Sequence, residues 1–495
     1  MRRGAPQKTR RRVAAAGLAL ALAATFTIAV RTAARADERK LVDPAPSPKA
    51  IDYGHLTQEA TALLQTYIRI DTTNPPGDEL EAARMLKQKI LADGIPATVW
   101  EPAPGRGVVA ARLHGIGRHQ KAIVLLSHID VVPANPKEWQ VPPFAAQIKD
   151  GAIWGRGALD DKGPGVIELM AMLAIKRAGI LLDRDVIFIA TGDEEEGGNV
   201  GAGWMVDHHA DVFADAGALL NEGGRIDTRP NGRRYFDVSL SEKTPLWLRL
   251  TATGDAGHAA VPPAATAVTR LIRALGLIAA YQPPMRVVAP VRDYFRAIGE
   301  LDGGPPQFAN LAVALRDPDF VKKFVAVPRQ NALVRDTFTP TVLTGSPKTN
   351  IIPATATAEI DGRLLPGDDP QTIVAGLRKM INDPNLKVDV TLNFPAESSP
   401  RKSAMMTALG QLADSEHCAL VPSLIAGFTD SHYFRQKGVD CYGFVPIEVP
   451  AAALRGVHGI NERIPVKELG AGIRRMVALL EIIGRRPPRA GRGKR

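Results

Sequence analysis

Cysteine and aromatic residues are scarce in this chain. Its 495 residues include two cysteines, Cys418 and Cys441, and only 5% are aromatic. Neither cysteine lies in a metal-ligand or nucleophile motif, and the absence of cysteine ligands argues against a closed structural zinc site. The two thiols could form a disulfide or stay separate and buried, because spacing along a sequence does not show whether two Cβ atoms meet.

Acidic residues are absent from both ends of the chain. Residues 1–36 hold eight basic residues and no acid, and residues 485–495 hold six basic residues and no acid. Removing these charges from the formal net charge of +10 leaves the body at −4. A mildly acidic body offers no basic groove for phosphates, so nucleic acid is not an expected partner. We expect residues 485–495 to be a basic, disordered tail.

The first 36 residues have the pattern of a targeting segment. A basic stretch at 2–12 precedes 18 uncharged residues at 13–30, and Ala34-Arg35-Ala36 fits a cleavage site. The sequence therefore predicts a signal peptide and a periplasmic or secreted protein. Alternatively, the apolar stretch stays uncleaved and anchors the protein to a membrane. Residues 37–50 are rich in proline and charge and are expected to form a linker.

Strands and helices alternate in the first half of the body. Apolar runs at 122–127 and 185–191 indicate buried strands, and residues 165–178 between them have helical periodicity. This order predicts an α/β domain with a mostly parallel central sheet and helices on both faces, whose function collects at the carboxyl ends of the strands.

The pattern changes at about residue 243. Alternating strands and two helices between 243 and 398 predict a small α+β domain inserted into the first domain. The catalytic domain then consists of two parts, residues 51–242 and 399–484. Residues 282–340, inside the insertion, are rich in proline and charge and are predicted to be partly helical.

Five short motifs carry residues that could hold metal. His128 and Asp130 stand two apart after a strand, so Asp130 could orient His128. Asp160 lies beside Asp161 in a glycine-flanked loop, and a carboxylate has two oxygens with which to bridge two cations. A lone H-x-D motif is weak evidence for a ligand, and the Asp160 loop taken alone also fits a surface turn.

The run of four acids at 193–196 is harder to explain by packing, since it follows an apolar strand. Their repulsion raises at least one pKa, and cations would relieve it. One carboxylate of the run could bind metal while its neighbour acts as a general base. With Glu222 and His458, the set supplies two histidines and three carboxylates. These donors suit zinc, and also cobalt or manganese, in an open two-metal hydrolytic site.

Together the motifs resemble the aminoacylase/carboxypeptidase superfamily of dinuclear zinc metallopeptidases, over roughly residues 55–484. Further details resemble its carboxypeptidase S branch, which includes N-fatty-acyl-amino-acid hydrolases. They are Trp139 with Pro142-Pro143-Phe144, and residues 221–224, 330–335, 339–346 and 458–462.

The resemblance implies two zinc ions per subunit, held by His128, Asp160, Glu195, Glu222 and His458. Each histidine would bind one ion, and Asp160 would bridge the two. Glu194 would be the base that deprotonates the bridging water, and Asp130 would support His128. The Asp160–Asp161 peptide is implied to be cis.

The inserted domain is implied to be a ferredoxin-like lid and a possible homodimer contact. His258 would donate to the oxyanion, often in a neighbouring subunit's site. Asn350 and Arg363 would hold the substrate's carboxylate, a task that suits the guanidinium fork. Thr429 is a further substrate-binding candidate, in a loop where Phe428 replaces a glycine common in relatives.

The sequence thus predicts a hydrolase of an amide bond next to a free carboxylate, acting on a small peptide or an N-acyl amino acid. The alternative is a periplasmic binding protein with a non-catalytic metal site. The complete ligand set together with Glu194 favours the enzyme. The acyl group and the amino-acid preference do not follow from the sequence.

Overall fold

The computed structural model describes residues 48–117, 120–303, 305–395 and 397–485. The predicted signal peptide, nearly all of the linker and all of the tail except Arg485 lie outside these residues. Among the described residues, no helix has the length and apolar character needed to cross a membrane.

Helices and strands alternate along the described chain. The helices are α1 (Tyr53–Arg69), α2 (Leu80–Ala92), α3 (Lys162–Ala178), α4 (Trp204–His208), α5 (Ala267–Ala280), α6 (Ala289–Asp302), α7 (Leu311–Ala314), α8 (Pro318–Val325), α9 (Pro328–Val334), α10 (Pro370–Ile381), α11 (Ala404–Ser415), α12 (Ser431–Arg435), α13 (Ala451–Leu454) and α14 (Val466–Gly484). The strands are β1 (Ala97–Trp100), β2 (Val108–Leu113), β3 (Ala122–His128), β4 (Gln147–Lys149), β5 (Ala152–Trp154), β6 (Val186–Thr191), β7 (Ala216–Asn221), β8 (Arg225–Thr228), β9 (Arg234–Glu242), β10 (Thr244–Thr253), β11 (Gly257–His258), β12 (Thr337–Thr344), β13 (Ile351–Ile352), β14 (Thr355–Leu364), β15 (Leu386–Asn393), β16 (Ala419–Ile425), β17 (Cys441–Gly443) and β18 (Arg463–Pro465).

A large sheet forms the centre of the catalytic domain, in the order β1-β2-β6-β3-β7-β17-β9-β16, with β8 paired to β9. Its central strands β6, β3, β7 and β17 run parallel, and β1 and β2 are antiparallel to their neighbours. Every residue of β3 is buried, because both faces of the sheet are covered. Ile123 packs with α1, α3 and α14, and Val124 packs on the opposite face. The predicted α/β fold with helices on both faces is confirmed.

The inserted segment builds a second, antiparallel sheet in the order β12-β14-β10-β15. Buried residues alternate with partly exposed ones along β14, and one face packs against α5 and α10. The chain order β10-α5-β12-β14-α10-β15 in this sheet order is the ferredoxin-like arrangement, as predicted. Lys243 alone separates β9 of the large sheet from β10 of the lid sheet.

Helices α6 to α9 supply the partly helical content predicted for residues 282–340. Although they lie inside the inserted segment, they pack over the last strands of the large sheet, where Phe295 and Phe324 join a core with Tyr235, Val421 and Leu424. The domain boundaries at 243 and 398 stay predictions.

The two cysteines are separate in the structure. Cys418 and Cys441 are both buried and both free. Of the two alternatives that the sequence left open, the structure has two buried thiols.

Candidate metal centre

Three of the motifs lie where neighbouring parallel strands end. His128 is the last residue of β3, Glu194–Glu196 form a short 3₁₀ turn just after β6, and Glu222 directly follows β7. Since β3 lies between β6 and β7, these side chains converge at one edge of the sheet.

Asp160 and His458 reach the same place from loops. Asp160 lies between β5 and α3, and its peptide bond to Asp161 is cis, as the resemblance implied. His458 follows the short helix α13 and so does not lie at the end of a strand. The chain turns at His458, whose φ is 53°, in the left-handed region.

The two oxygens of Asp160 face different histidines. Oδ1 lies 3.0 Å from Nε2 of His128, and Oδ2 lies 3.1 Å from Nε2 of His458. Glu195 Oε2 is 3.2 Å from the same nitrogen of His458, and Glu222 Oε1 is 3.7 Å from that of His128. The geometry thus divides the five predicted ligands into two groups that share Asp160.

The donor set fits divalent cations. Potential ligand atoms of His128, Glu194 and Glu222 lie within 4.8 Å of one another. Those of His128, Asp160 and Glu195 form a second such group. Glu195 Oε1 is buried and has no hydrogen-bond partner among the described residues. A buried, unpaired carboxylate oxygen is costly unless a cation or a donor satisfies it.

Negative charge accumulates in this cluster. Burial raises the pKa of Glu194 and of Glu222, and the charges of Glu222 and Asp160, respectively, raise them further. Hydrogen bonds with Asp160 and then Glu195 raise the pKa of His458 to about 11. The raised pKa values of the two glutamates and of His458 all show that the cluster favours added positive charge, which a divalent cation provides.

Asp130 lies behind the cluster and holds two of its parts. Its backbone oxygen is 2.9 Å from His128 Nδ1 and accepts that proton, so Nε2 is free to bind metal. Its carboxylate accepts the backbone N–H groups of Glu194 and Glu195, both at 3.1 Å. The backbone oxygen of Asp130 therefore orients His128, and its carboxylate orients the acid run.

A buried ion pair that sequence reasoning did not single out ties the two ligand loops together. Arg156 Nη1 donates to Glu462 Oε2 over 2.6 Å, and both side chains are buried. Glu462 also accepts the N–H groups of Leu159 and Asp160 at 2.7 and 3.0 Å. One feature of the sequence could have indicated this pair. Both residues lie inside candidate ligand motifs, Arg156 near Asp160 and Glu462 near His458.

The lid places His258 beside Asn350. Strand β11 pairs with β13, and Ala259 N–H donates to the backbone oxygen of Asn350 over 3.1 Å. His258 is exposed, and within the described part of the chain no hydrogen bond or ion pair joins it to the metal cluster. Its oxyanion role stays a prediction.

Arg363 and Phe428 meet between the lid and the catalytic domain. The Arg363 guanidinium is forked to Asp361, at 2.6 and 3.0 Å, and lies 4.7 Å from the centre of the Phe428 ring. Thr429 is buried, and its hydroxyl donates to Glu242 over 2.8 Å. Thr429 thereby fixes the loop that carries Phe428, while its contact with substrate stays a prediction.

Known proteins are similar to this chain over most of its length. The model of the family described as Peptidase family M20/M25/M40 matches residues 124–482. The chain is 30% identical to an N-fatty-acyl-amino acid synthase/hydrolase of Xenopus tropicalis over 364 residues, which cover 71% of this chain and 70% of that protein. It is 28% identical to the probable carboxypeptidase S-like protein 2 of Dictyostelium discoideum over 364 residues, with 71% and 70% covered.

Solved structures share the fold. A metallo-carboxypeptidase of Sulfolobus solfataricus superposes with a TM-score of 0.67 and 20% identity, over 86% of this chain and 99% of that one. At this identity the match supports the catalytic domain with its inserted lid as an architecture, and carries no information on substrate.

Proposed function

Because this chain belongs to peptidase family M20/M25/M40 and is a hydrolytic metalloenzyme, we propose that it is a dinuclear zinc hydrolase. It cleaves an amide bond next to a free carboxylate, in a small peptide or an N-acyl amino acid. The observation that carries the proposal is the position of Asp160, one of whose oxygens lies next to His128 and the other next to His458.

Five side chains hold the ions in this proposal. His128 and Glu222 form one half of the site, His458 and Glu195 form the other, and Asp160 is shared. When bound, the zinc ions lower the pKa of water to about 7 and polarise the substrate carbonyl. Cobalt or manganese can substitute, because the same oxygen and imidazole donors suit them.

Glu194 moves the proton. Its carboxylate is buried beside His128 and Glu222 and is not one of the five proposed ligands. Burial raises the pKa of Glu194, which matches a group that accepts a proton from water and returns it to the leaving nitrogen. The N–H groups that Asp130 holds keep the start of the acid run in place during both transfers.

The lid binds the substrate. Arg363 and Asn350 hold its free carboxylate, and His258 donates to the oxyanion, a type of contact worth about 3–4 kcal/mol. Because His258 is exposed, it is suited to act in the site of a second subunit, so we include a homodimer in the proposal. The basic and apolar pattern of residues 1–36 supports export to the periplasm or beyond, with membrane anchoring as the alternative.

A substrate screen with two variants tests the proposal. The purified protein with added zinc or cobalt is assayed against dipeptides, N-acetyl amino acids and long-chain N-acyl amino acids, each with its carboxylate free or amidated. We expect hydrolysis of at least one free-carboxylate class and at least ten-fold slower hydrolysis of the amidated form.

Glu194→Ala should keep its metal and lose at least about 1000-fold in kcat, since it removes the general base. Glu196→Gln is the matched control. Glu196 belongs to the same acid run, two residues after Glu194, but its side chain is exposed. Undiminished turnover by metal-replete Glu194→Ala would show that another group moves the proton.

A further inference from the structure

A buried arginine lies behind the acid run. Arg106 is 9% exposed, and its guanidinium contacts three neighbouring segments inside the protein. Nε lies 2.8 Å from Glu79 Oε2, Nη2 lies 2.8 Å from Asp193 Oδ1, and Nη1 donates to the backbone oxygen of Pro76 over 3.0 Å. Each of the three nitrogens therefore contacts a different residue: Glu79, Asp193 or Pro76.

Asp193 is the acid of the run that Arg106 holds away from the ligands. It also accepts hydrogen bonds from Asn74 Nδ2 at 3.3 Å and from the N–H of Val200 at 3.0 Å. Its φ is 72°, in the left-handed region, immediately before the turn formed by Glu194–Glu196. Side-chain bonds that stabilise this backbone conformation also set the direction in which the turn leaves the strand.

Asn74 joins this anchor to the one on the other side of the turn. Its Nδ2 lies 2.9 Å from Asp130 Oδ2 and 3.3 Å from Asp193 Oδ1. Asp130 in turn accepts the first two N–H groups of the turn. A continuous path of hydrogen bonds thus runs from Arg106 through Asp193 and Asn74 to Asp130, whose backbone orients His128.

The neighbouring loop is built around the guanidinium. Gly77 has a φ of 77°, and a Cβ at this position would lie 2.4 Å from Cζ of Arg106. Any larger residue would have to displace the guanidinium or the loop. The loop backbone therefore packs directly against the guanidinium, and Gly77 leaves the space that Arg106 occupies.

We propose that Arg106 is a positioning residue of the metal centre: by neutralising and orienting Asp193, it fixes the turn that presents Glu194 and Glu195. This inference rests on the proposed function. Without the guanidinium, Glu79 and Asp193 would be two buried carboxylates lacking their cation, and Asp193 could turn towards the metals. Lysine cannot replace arginine here, because its single nitrogen cannot contact Glu79, Asp193 and Pro76 in the same geometry.

Metal binding in Arg106→Lys and Arg106→Met tests the inference. Titration with Co²⁺, followed by calorimetry and by the visible absorption of the bound ion, reports affinity and ligand geometry without turnover. We expect affinity about 10- to 100-fold weaker in both variants, the usual effect of losing a partner behind the ligands, with an altered Co²⁺ spectrum. The kcat should fall by a similar factor while KM changes less than two-fold, since substrate contacts are untouched.

Arg112→Lys is the matched control. Arg112 also bridges two carboxylates, Asp185 and Asp215, but at the opposite ends of the parallel strands from the site. We expect its Co²⁺ affinity and spectrum to equal those of the wild type, even if its melting temperature falls.

A double-variant cycle separates positioning from mere structural support. If Arg106 acts through Asp193, then Arg106→Lys should weaken metal binding less in an Asp193→Asn background than in the wild type. The inference would be overturned if Arg106→Lys kept the wild-type Co²⁺ affinity and spectrum. It would also be overturned if the effects of Arg106→Lys and Asp193→Asn on affinity were fully additive. If Arg106→Met does not fold, the Lys variant and the cycle decide alone. Wild-type protein that neither binds metal nor hydrolyses any substrate would instead overturn the proposed function.

Discussion

Glu462→Gln should destabilise the protein and weaken metal binding, although Glu462 is not a proposed ligand. Its carboxylate accepts four hydrogen bonds, from Arg156 Nη1 and from the N–H groups of Gly157, Leu159 and Asp160, at 2.6, 3.1, 2.7 and 3.0 Å. The amide of glutamine keeps one acceptor oxygen and turns a donor towards donors. About half of these bonds are therefore lost.

The cost follows from two independent estimates. Two lost hydrogen bonds to a charged acceptor cost about 1.5–3 kcal/mol each. Leaving the buried Arg156 guanidinium without its partner costs about 3–5 kcal/mol, as measured for buried pairs broken from one side. The first estimate gives a loss of about 3–6 kcal/mol in the free energy of unfolding and the second about 3–5 kcal/mol, so we expect a loss of about 3–5 kcal/mol. Because Glu462 holds the Asp160 loop, we also expect metal affinity to fall by about ten-fold or more.

Denaturant unfolding of the metal-free protein, followed by circular dichroism, measures the first effect, and calorimetric zinc titration measures the second. Glu359→Gln is the control, since the Arg249–Glu359 pair is exposed and worth less than about 1 kcal/mol. Arg156→Met combined with Glu462→Gln should cost less than the sum of the single variants, because no unpaired guanidinium remains. A change below about 1 kcal/mol for Glu462→Gln with unchanged zinc affinity would refute the reasoning.

Two further predictions concern other parts of the molecule. Hydrogen bonds from Arg177, together with those from Lys89, lower the pKa of Glu59 to about 2 in the folded protein. The ionised carboxylate therefore stabilises the fold at pH values above its unfolded pKa near 4.5, and this stabilisation is lost as the pH falls through about 2. Glu59→Gln should therefore cost about 1 kcal/mol at pH 7 and only a small part of that at pH 2 in denaturant unfolding, whereas a cost independent of pH would contradict the ionic origin. A thiol reagent should label neither Cys418 nor Cys441 in the native protein, because both thiols are buried and burial raises the pKa of Cys441 to about 12. After denaturation without reductant it should label both, because both are free. A disulfide would leave both unlabelled.

The fold was largely predictable from local patterns. Buried parallel strands need continuous apolar runs, and the lid strands alternate because one face is covered, so both classes show in the sequence. Helix limits were less predictable. For example, α1 begins at Tyr53 because Asp52 accepts the N–H of His55 and caps it, and apolar periodicity does not mark such a start.

The candidate ligand motifs were recognisable as a set, because the acid run after an apolar strand is hard to explain by packing and the other motifs add two histidines and two carboxylates. The buried residues that hold the candidate ligands in place could not be predicted from the sequence. Arg156 and Glu462 are 306 positions apart, and Arg106 and Asp193 are 87 apart. An isolated arginine or glutamate in a sequence usually lies at the surface, so only the fold shows which of them are buried as pairs.

The sequence by itself determined which chemical groups this protein brings to its site, because metal chemistry requires particular side chains and those stand in short motifs. The tertiary structure decided how they are arranged. It turned one oxygen of Asp160 to His128 and the other to His458, assigned Asp130's backbone to His128 and its carboxylate to the acid run, and left His258 exposed on the lid. These arrangements depend on distances between segments far apart in the chain, and such distances are set by packing.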